Sequence, residues 1–188
     1  MYKQNKDFEF YIYRENFLSP EQCKKYMNLI DSQETQTGKL VGTGKDYENP
    51  NVRLTQNIEF EDDKLQSKIS MVLELANLKH YKYKVNSLDK LRLLKYGVGG
   101  RYEWHTDLGS GDYSNRKLTA IVQLSNEQDY EGGDLEFGLT QEDGSLIKGN
   151  RKQGTILVFP SFLSHRIAPL TKGKRYSILT WMEGDTFE

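Results

Sequence analysis

From residue 88 onward the chain breaks into short β-like runs at 88–96, 101–107, 117–125, 134–138, 154–160, 164–170 and 174–182. Glycine-containing turns separate them: Gly97-Val98-Gly99-Gly100, Gly109-Ser110-Gly111-Asp112, Gly132-Gly133, Gly149-Asn150 and Thr171-Lys172-Gly173. Many short strands at such spacing must bury a shared face and protect their edges, which predicts a barrel or jelly roll. Twelve tyrosines and eight phenylalanines suit strands better than helices. The amino-terminal half reads differently. Residues 8–18 alternate aromatic and polar side chains and predict a strand. Ser19-Pro20-Glu21-Gln22 is a capping box with proline at the first helical position, and the helix should run to about Ser32. Residues 33–50, rich in Gly, Thr and Asn, read as a long surface loop, the kind that often closes over a site. Residues 52–60 predict a second strand. Asp62 or Asp63 then opens a helix with Leu65, Ile69, Val72, Leu73 and Ala76 on one face.

A length of 188 residues suits one domain with a substantial core. A net charge of −1 gives no global field to favour nucleic acid or an acidic membrane. The single cysteine, Cys23, excludes an internal disulfide framework and is read as a small buried residue. Residues 1–7 are polar, so no leader peptide is expected, and no run approaches the ~20 apolar residues that span a bilayer. A cytoplasmic location is the expectation. Lys79-His80-Tyr81-Lys82-Tyr83-Lys84 interleaves bases and aromatics, yet a short run in a near-neutral chain reads as a solvated helix end rather than a nucleic-acid footprint. Gly97-x-Gly-Gly lacks the strand-to-helix context of a dinucleotide fingerprint.

The chemistry concentrates in His105, Asp107 and His165, which include two of only three histidines. A pair at i, i+2 on a strand points to one face, and a third ligand from a distant strand completes a facial set. Two imidazoles and a carboxylate with open positions suit non-haem Fe(II). Taken alone, His-x-Asp also fits a hydrogen-bonded pair at a strand edge. Arg175 lies ten residues beyond His165, after the Thr171–Gly173 turn, and a hairpin there would set its strand beside that of His165. A guanidinium grips a carboxylate through two parallel hydrogen bonds, as a dicarboxylic 2-oxoacid bound to the metal would need. Taken alone, Arg175 also fits a solvated strand position.

Tyr96-Gly-Val-Gly-Gly-Arg-Tyr102-Glu-Trp-His105-Thr-Asp107 resembles the tyrosine, glycine turn and His-x-Asp stretch of prolyl 4-hydroxylases. Gly132-Gly133-Asp134-Leu135-Glu136-Phe137 resembles that family's Gly-Gly-x-x-x-Phe strand. Residues 154–160, His165-Arg-Ile-Ala-Pro169 and Gly173-Lys-Arg175 through Trp181 look like its closing half. Over 88–182 the chain thus resembles the Fe(II)/2-oxoglutarate dioxygenase superfamily, in its prolyl 4-hydroxylase-like branch. Collagen-type members carry lysine where Arg175 stands. The resemblance implies a double-stranded β-helix, a cupin-like distorted jelly roll. The fold is then mainly β with flanking helices (α+β), and residues 1–87 support the core at 88–182. It implies that His105, Asp107 and His165 ligate Fe(II), that Arg175 and Tyr96 hold 2-oxoglutarate, and that Tyr102 and Trp181 line the substrate side. It implies consumption of O2, release of succinate and CO2, and ascorbate as the reductant. Peptidyl proline leads as the substrate, with a small molecule, free amino acid or nucleobase as the alternative. Thr119 and Gln123 could also face inward, but parity alone does not decide it. Two rival readings are a zinc hydrolase, which has no use for a dicarboxylate seat at Arg175 and Tyr96, and a non-catalytic jelly-roll binding module, which would have no need of the intact triad.

Overall fold

The computed structural model describes residues 5–40 and 47–186. Among these, the strands in chain order are Ile12–Arg14 (β1), Gln36–Thr37 (β2), Arg53–Leu54 (β3), Gln56–Phe60 (β4), Ser87–Leu88 (β5), Leu91–Tyr96 (β6), Arg101–His105 (β7) and Arg116–Gln123 (β8). They continue with Tyr130–Gly132 (β9), Leu135–Thr140 (β10), Leu146–Lys148 (β11), Ile156–Pro160 (β12), His165–Ile167 (β13), Leu170–Gly173 (β14) and Arg175–Glu183 (β15). Two helices, Pro20–Asp31 (α1) and Asp63–Ala76 (α2), precede most of them. All pairings are antiparallel. The larger sheet runs β1-β12-β8-β15-β6-β4-β2, with β5 added against β15; the smaller runs β11-β10-β13-β7-β3. This is the mainly β jelly roll with external helices that the strand spacing and the resemblance imply.

The period of two decides what each face does. On β8, Leu118, Ala120 and Val122 join the helices in one core, and on β15 Tyr176, Ile178 and Met182 do the same. Cys23, Ile30, Leu65, Ile69 and Leu73 of the helices are fully buried against them or nearly so. The other face of the same strands looks between the sheets, where Leu157, Phe159, Leu179 and Trp181 pack with Phe137 and Ile167. Strands covered on both sides lose the apolar/polar alternation, as β12 does in Ile156–Pro160.

The capping box forms as predicted: Ser19 Oγ accepts from the Gln22 amide, and the Gln22 side chain accepts from the Ser19 amide at 2.9 Å. Asp62 caps α2 through the Leu65 amide. Leu65, Ile69, Leu73 and Ala76 are buried as expected, while Val72 is only half-buried. Cys23 is buried, and burial pushes its thiol up to about 11.

Several expectations need correction. The predicted strand at 8–18 shrinks to Ile12–Arg14, since Phe10 and Tyr13 have no core to face and stay exposed. The predicted strand at 52–60 is two strands that change sheets at Thr55: Arg53 pairs with Tyr102 of β7, whereas Gln56 pairs with Lys95 of β6. Buried Thr55 sits at the crossing and donates to the Lys95 carbonyl. The run 33–50 is not uniformly loop, because Gln36–Thr37 adds an edge strand and Leu40 bridges Tyr47; residues 41–46 of it lie outside the described residues. Residues 164–170 divide into β13 and the start of β14. Thr171–Gly173 is not a hairpin turn but the rest of β14, which pairs with β9. Gly132 and Gly133 end the β9 side with φ of +70° and +63°, and a Cβ on Gly132 would sit 2.3 Å from the Pro169 carbonyl. Asn77–Tyr81 continues α2 as a π-turn, so the Lys79–Lys84 segment starts within it and leaves it at Lys82, with Tyr81 buried in the core and His80 facing the Asp7 carbonyl.

Candidate active site

His105 and His165 are direct cross-strand partners on β7 and β13, which brings their rings to 4.3 Å between centroids. Asp107 is not on a strand. It lies in the bend after β7, where its amide donates to the Ser161 carbonyl. The bend returns the carboxylate to the histidines: Asp107 Oδ1 lies 3.6 Å from His105 Nε2, and Oδ2 lies 3.6 Å from His165 Nε2. Those separations are too long for hydrogen bonds, so the lone pairs converge without being committed to each other. One ligand atom from each residue falls within a 4.8 Å span.

Local bonds fix the ligand atoms. His105 Nδ1 lies 2.7 Å from the Glu103 carbonyl and His165 Nδ1 lies 2.9 Å from the Leu163 carbonyl. A carbonyl only accepts, so each Nδ1 carries the proton and each Nε2 faces inward. Burial, reinforced by the neighbouring His165, pushes His105 down to about 4, so its imidazole is neutral near pH 7. Burial also opposes the charge on Asp107. The two imidazoles and the Thr119 hydroxyl overcome that opposition and hold its carboxyl below the usual range. Thr119 Oγ1 lies 2.7 Å from Asp107 Oδ2 and 3.1 Å from Ser161 Oγ. Since a carboxylate cannot donate, Thr119 gives its proton to Asp107 and accepts from Ser161.

The triad opens into a cavity of about 330 Å³ between the sheets. Arg175 lines the same cavity but not as β13's hairpin neighbour. Its strand β15 belongs to the larger sheet, paired with β6 and β8, so Arg175 and His165 come from opposite walls. Arg175 is 1 % exposed. Its Nη2 donates to Gln123 Oε1 at 3.0 Å, while Nε and Nη1 are buried without a partner among the described residues. Tyr96 is its cross-strand neighbour, also buried, with the guanidinium carbon 5.5 Å from the ring centre. Tyr102 stacks on His105 at 3.5 Å, and Trp181 lies buried in the opposite wall, on the strand that carries Arg175. All seven residues singled out from the sequence therefore line one cavity. Thr119 and Gln123, whose direction parity left open, sit behind that lining and buttress Asp107 and Arg175 respectively.

Sequence reading missed Arg53, Arg92, Arg116 and Tyr113, which also line this cavity. Arg116 and Tyr113 belong to the segment around the 3₁₀ turn Gly111–Asn115, and Arg53 to the strand that changes sheets. A charged residue in a polar loop carries no sequence mark of facing inward.

The residues fit a divalent ion and a dicarboxylate. Two neutral imidazoles and a carboxylate are a donor set for non-haem iron, and a buried guanidinium with two free N–H donors is costly unless an anion meets it.

A sequence profile described as the 2OG-Fe(II) oxygenase superfamily matches residues 91–183, which contain the triad, Tyr96, Tyr102, Arg175 and Trp181. A PKHD-type hydroxylase of Gloeothece citriformis is 25% identical over 173 residues, covering 88% of this chain and 74% of that relative. Another, of Synechococcus sp. (strain CC9902), is 34% identical over 86 residues, covering 46% of this chain and only 37% of the relative. In fold the chain is similar to a Pseudomonas putida prolyl-4-hydroxylase, with a TM-score of 0.74, 17% identity and coverage of 94% and 93% of the two chains. It is also similar to a prolyl hydroxylase of Trichoplax adhaerens, solved with a hypoxia-inducible-factor peptide fragment, with a TM-score of 0.76, 21% identity and coverage of 95% and 84%. Profile, relatives and architecture converge on the same segment that carries the His-Asp-His cluster, and this chain belongs to the 2OG-Fe(II) oxygenase superfamily, with a fold like that of the prolyl 4-hydroxylases.

Proposed function

We propose that this chain hydroxylates an unactivated C–H bond, with peptidyl proline as the leading substrate, consuming O2 and 2-oxoglutarate and releasing succinate and CO2. The observation that carries the reading is Arg175, a charged group buried with two unpartnered donors in the cavity that also holds the triad. In this reading His105, Asp107 and His165 would hold Fe(II) through Nε2, the carboxylate and Nε2 respectively. Arg175 receives the distal carboxylate of 2-oxoglutarate, with Gln123 fixing the plane of the guanidinium. The Tyr96 hydroxyl, which has no hydrogen-bond partner among the described residues, adds a donor to the same co-substrate. An iron held there would supply the activation of O2, coupled to oxidative decarboxylation of the 2-oxoacid.

The chain's own part is to orient and to exclude water. Tyr102 and Trp181 flank the triad and would hold the target C–H against it. Residues 33–40 and 108–116 supply Gln36, Thr37, Lys39 and Tyr113 to the cavity wall and would close over a bound substrate. Residues 1–87 would act as support for a core at 88–182 within one domain. Ascorbate would serve as reductant. No helix among the described residues is long and apolar enough to cross a membrane. The small-molecule alternative keeps the same chemistry. A zinc hydrolase would leave the buried Arg175 donors without a purpose.

The test is succinate release from 2-oxoglutarate with Fe(II), ascorbate and air, followed by mass spectrometry for a +16 Da product on proline-containing peptides. Succinate that depends on Fe(II) supports the reading. Activity with Zn(II) alone, or no succinate under any condition, overturns it.

A further inference from the structure

Seven buried side-chain polar atoms lack a hydrogen-bond partner among the described residues, and six of them belong to residues lining the active-site cavity: Arg53 Nε, Arg116 Nε, Arg175 Nε and Nη1, Ser177 Oγ and Trp181 Nε1. Buried polar atoms are normally satisfied, so this clustering marks a volume built for polar ligands. Arg175 accounts for two of the atoms through 2-oxoglutarate. Arg53 and Arg116 do not belong to that seat.

Their surroundings are unlike those of the other guanidinium at the mouth. Arg92 is doubly compensated, by Glu59 at 3.1 Å and Asp89 at 2.9 Å. Among the described residues Arg116 makes one ion pair, with that same Asp89 carboxylate at 3.7 Å, and also feels the Asp107 charge. Arg53 has no carboxylate partner among the described residues; its Nη1 donates to the Lys39 carbonyl at 2.8 Å. Both are held by aromatic faces on the two flanks of the triad. The Arg53 guanidinium lies 4.6 Å from the ring centre of Tyr102, the residue stacked on His105. The Arg116 guanidinium lies 3.5 Å from the ring centre of Trp181. Such stacking holds the plane of the fork while leaving its edge N–H groups free. Gly38 makes room for Arg53: a Cβ there would meet Arg53 Nε at 2.6 Å. Lys39 and Arg92 add positive charge to the same lining, which has only Glu59 and Asp107 as acids, and Asp107 belongs to the triad.

We propose that Arg53 and Arg116 form a carboxylate clamp for the prime substrate, so that the target C–H belongs to an acidic molecule: a peptide with Asp or Glu beside the target, or a small free acid. This rests on the oxygenase reading for what happens after binding, but the clamp itself is a binding claim. A carboxylate matches the two-pronged guanidinium edge, and a neutral substrate would leave the buried Nε of each fork desolvated and unpaired.

The experiment measures binding in the presence of Mn(II) and saturating 2-oxoglutarate, so that the Arg175 seat is filled. One arm compares a labelled proline-containing octapeptide flanked by Asp and Glu with its Asn and Gln counterpart by fluorescence anisotropy. The other compares L-proline with L-prolinamide by calorimetry. The expected result is at least a tenfold preference for the acid in one arm, which also tells peptide from small acid. Arg53→Gln and Arg116→Gln should each remove most of that preference, and Arg53→Lys, which keeps the charge but not the fork, should keep part of it. No preference in either arm, or a preference that survives both glutamine variants, overturns the clamp. Acid-selective binding without succinate formation would keep the clamp and refute the oxygenase reading. Succinate formation without acid selectivity would do the reverse.

Discussion

Replacing Thr119 by valine removes one hydroxyl from the site and almost nothing else. The side chain is fully buried, and valine has nearly the same shape. Thr119 donates to Asp107 at 2.7 Å, so the variant withdraws one charge-assisted hydrogen bond from the buried carboxylate. Hydrogen bonds to charged groups contribute about 1.5–3 kcal/mol, which at 1.4 kcal/mol per decade is roughly a 10- to 150-fold effect on an equilibrium that needs the carboxylate ionised and aimed. Loss of a hydrogen bond that orients a metal ligand typically lowers metal affinity about 10- to 100-fold, so two independent routes agree. The variant also strands the Ser161 hydroxyl, which donates to Thr119. That adds about 1 kcal/mol of destabilisation, or about 2–4 °C in melting temperature for a chain of this size. Anaerobic Fe(II) titration, with Co(II) as a spectroscopic substitute, measures the first effect, and calorimetry of the metal-free protein measures the second. Thr119→Ser, which keeps the donor, should restore metal affinity. Metal affinity within twofold of the parent protein in Thr119→Val would refute the claim that this hydroxyl orients Asp107.

Other outcomes follow from the same geometry. His105→Ala or Asp107→Ala should abolish Fe(II)-dependent succinate formation while circular dichroism stays unchanged; retained turnover in either would defeat the ligand assignment. Arg175→Met should raise the KM for 2-oxoglutarate by about a hundredfold, as expected for losing two charge-assisted bonds, with an unchanged KM placing the co-substrate elsewhere. His105 has its folded-state value pushed down to about 4 against about 6.5 when unfolded, so between those values the unfolded chain binds the extra proton. Stability of the metal-free protein should therefore fall as pH drops from about 6.5 to about 4, by a few kcal/mol. The depressed Asp107 carboxyl adds a further loss below its ordinary value of about 3.9. Urea midpoints across this range check the sign, and His105→Gln should flatten the upper part. Gly132→Ala should cost at least about 2 kcal/mol in denaturant titrations, because it combines a left-handed φ of +70° with a Cβ 2.3 Å from the Pro169 carbonyl.

What the sequence made legible was whatever has a local cause. The α1 capping box, the α2 stripe and the run of short strands all follow from neighbouring residues, and the structure keeps them. The triad and Arg175 stood out because their residue types are costly to bury without a task. Non-local pairing was hidden. Residues 52–60 look like one strand, since nothing in Arg53-Leu54-Thr55-Gln56 announces that the two halves pair with different sheets. The segment Thr171–Gly173 has turn composition yet pairs with β9, because its partners lie about forty residues upstream. The error about which strand neighbours Arg175 followed directly from that misread turn. Arg53 and Arg116 escaped notice because only tertiary packing turns a surface-type residue toward a cavity.

On β8 the alternate positions serve two masters: Ala120 and Val122 wedge beneath the helices while Thr119 and Gln123 brace the triad and the arginine seat. A slip of this strand by one residue would therefore evict the greasy side chains from beneath the helices at the same moment as it swung both braces away from the His-Asp-His cluster and Arg175. Misaligned chains are thus caught by their own hydrophobic penalty, and fidelity of assembly and fidelity of chemistry are enforced by a single zipper.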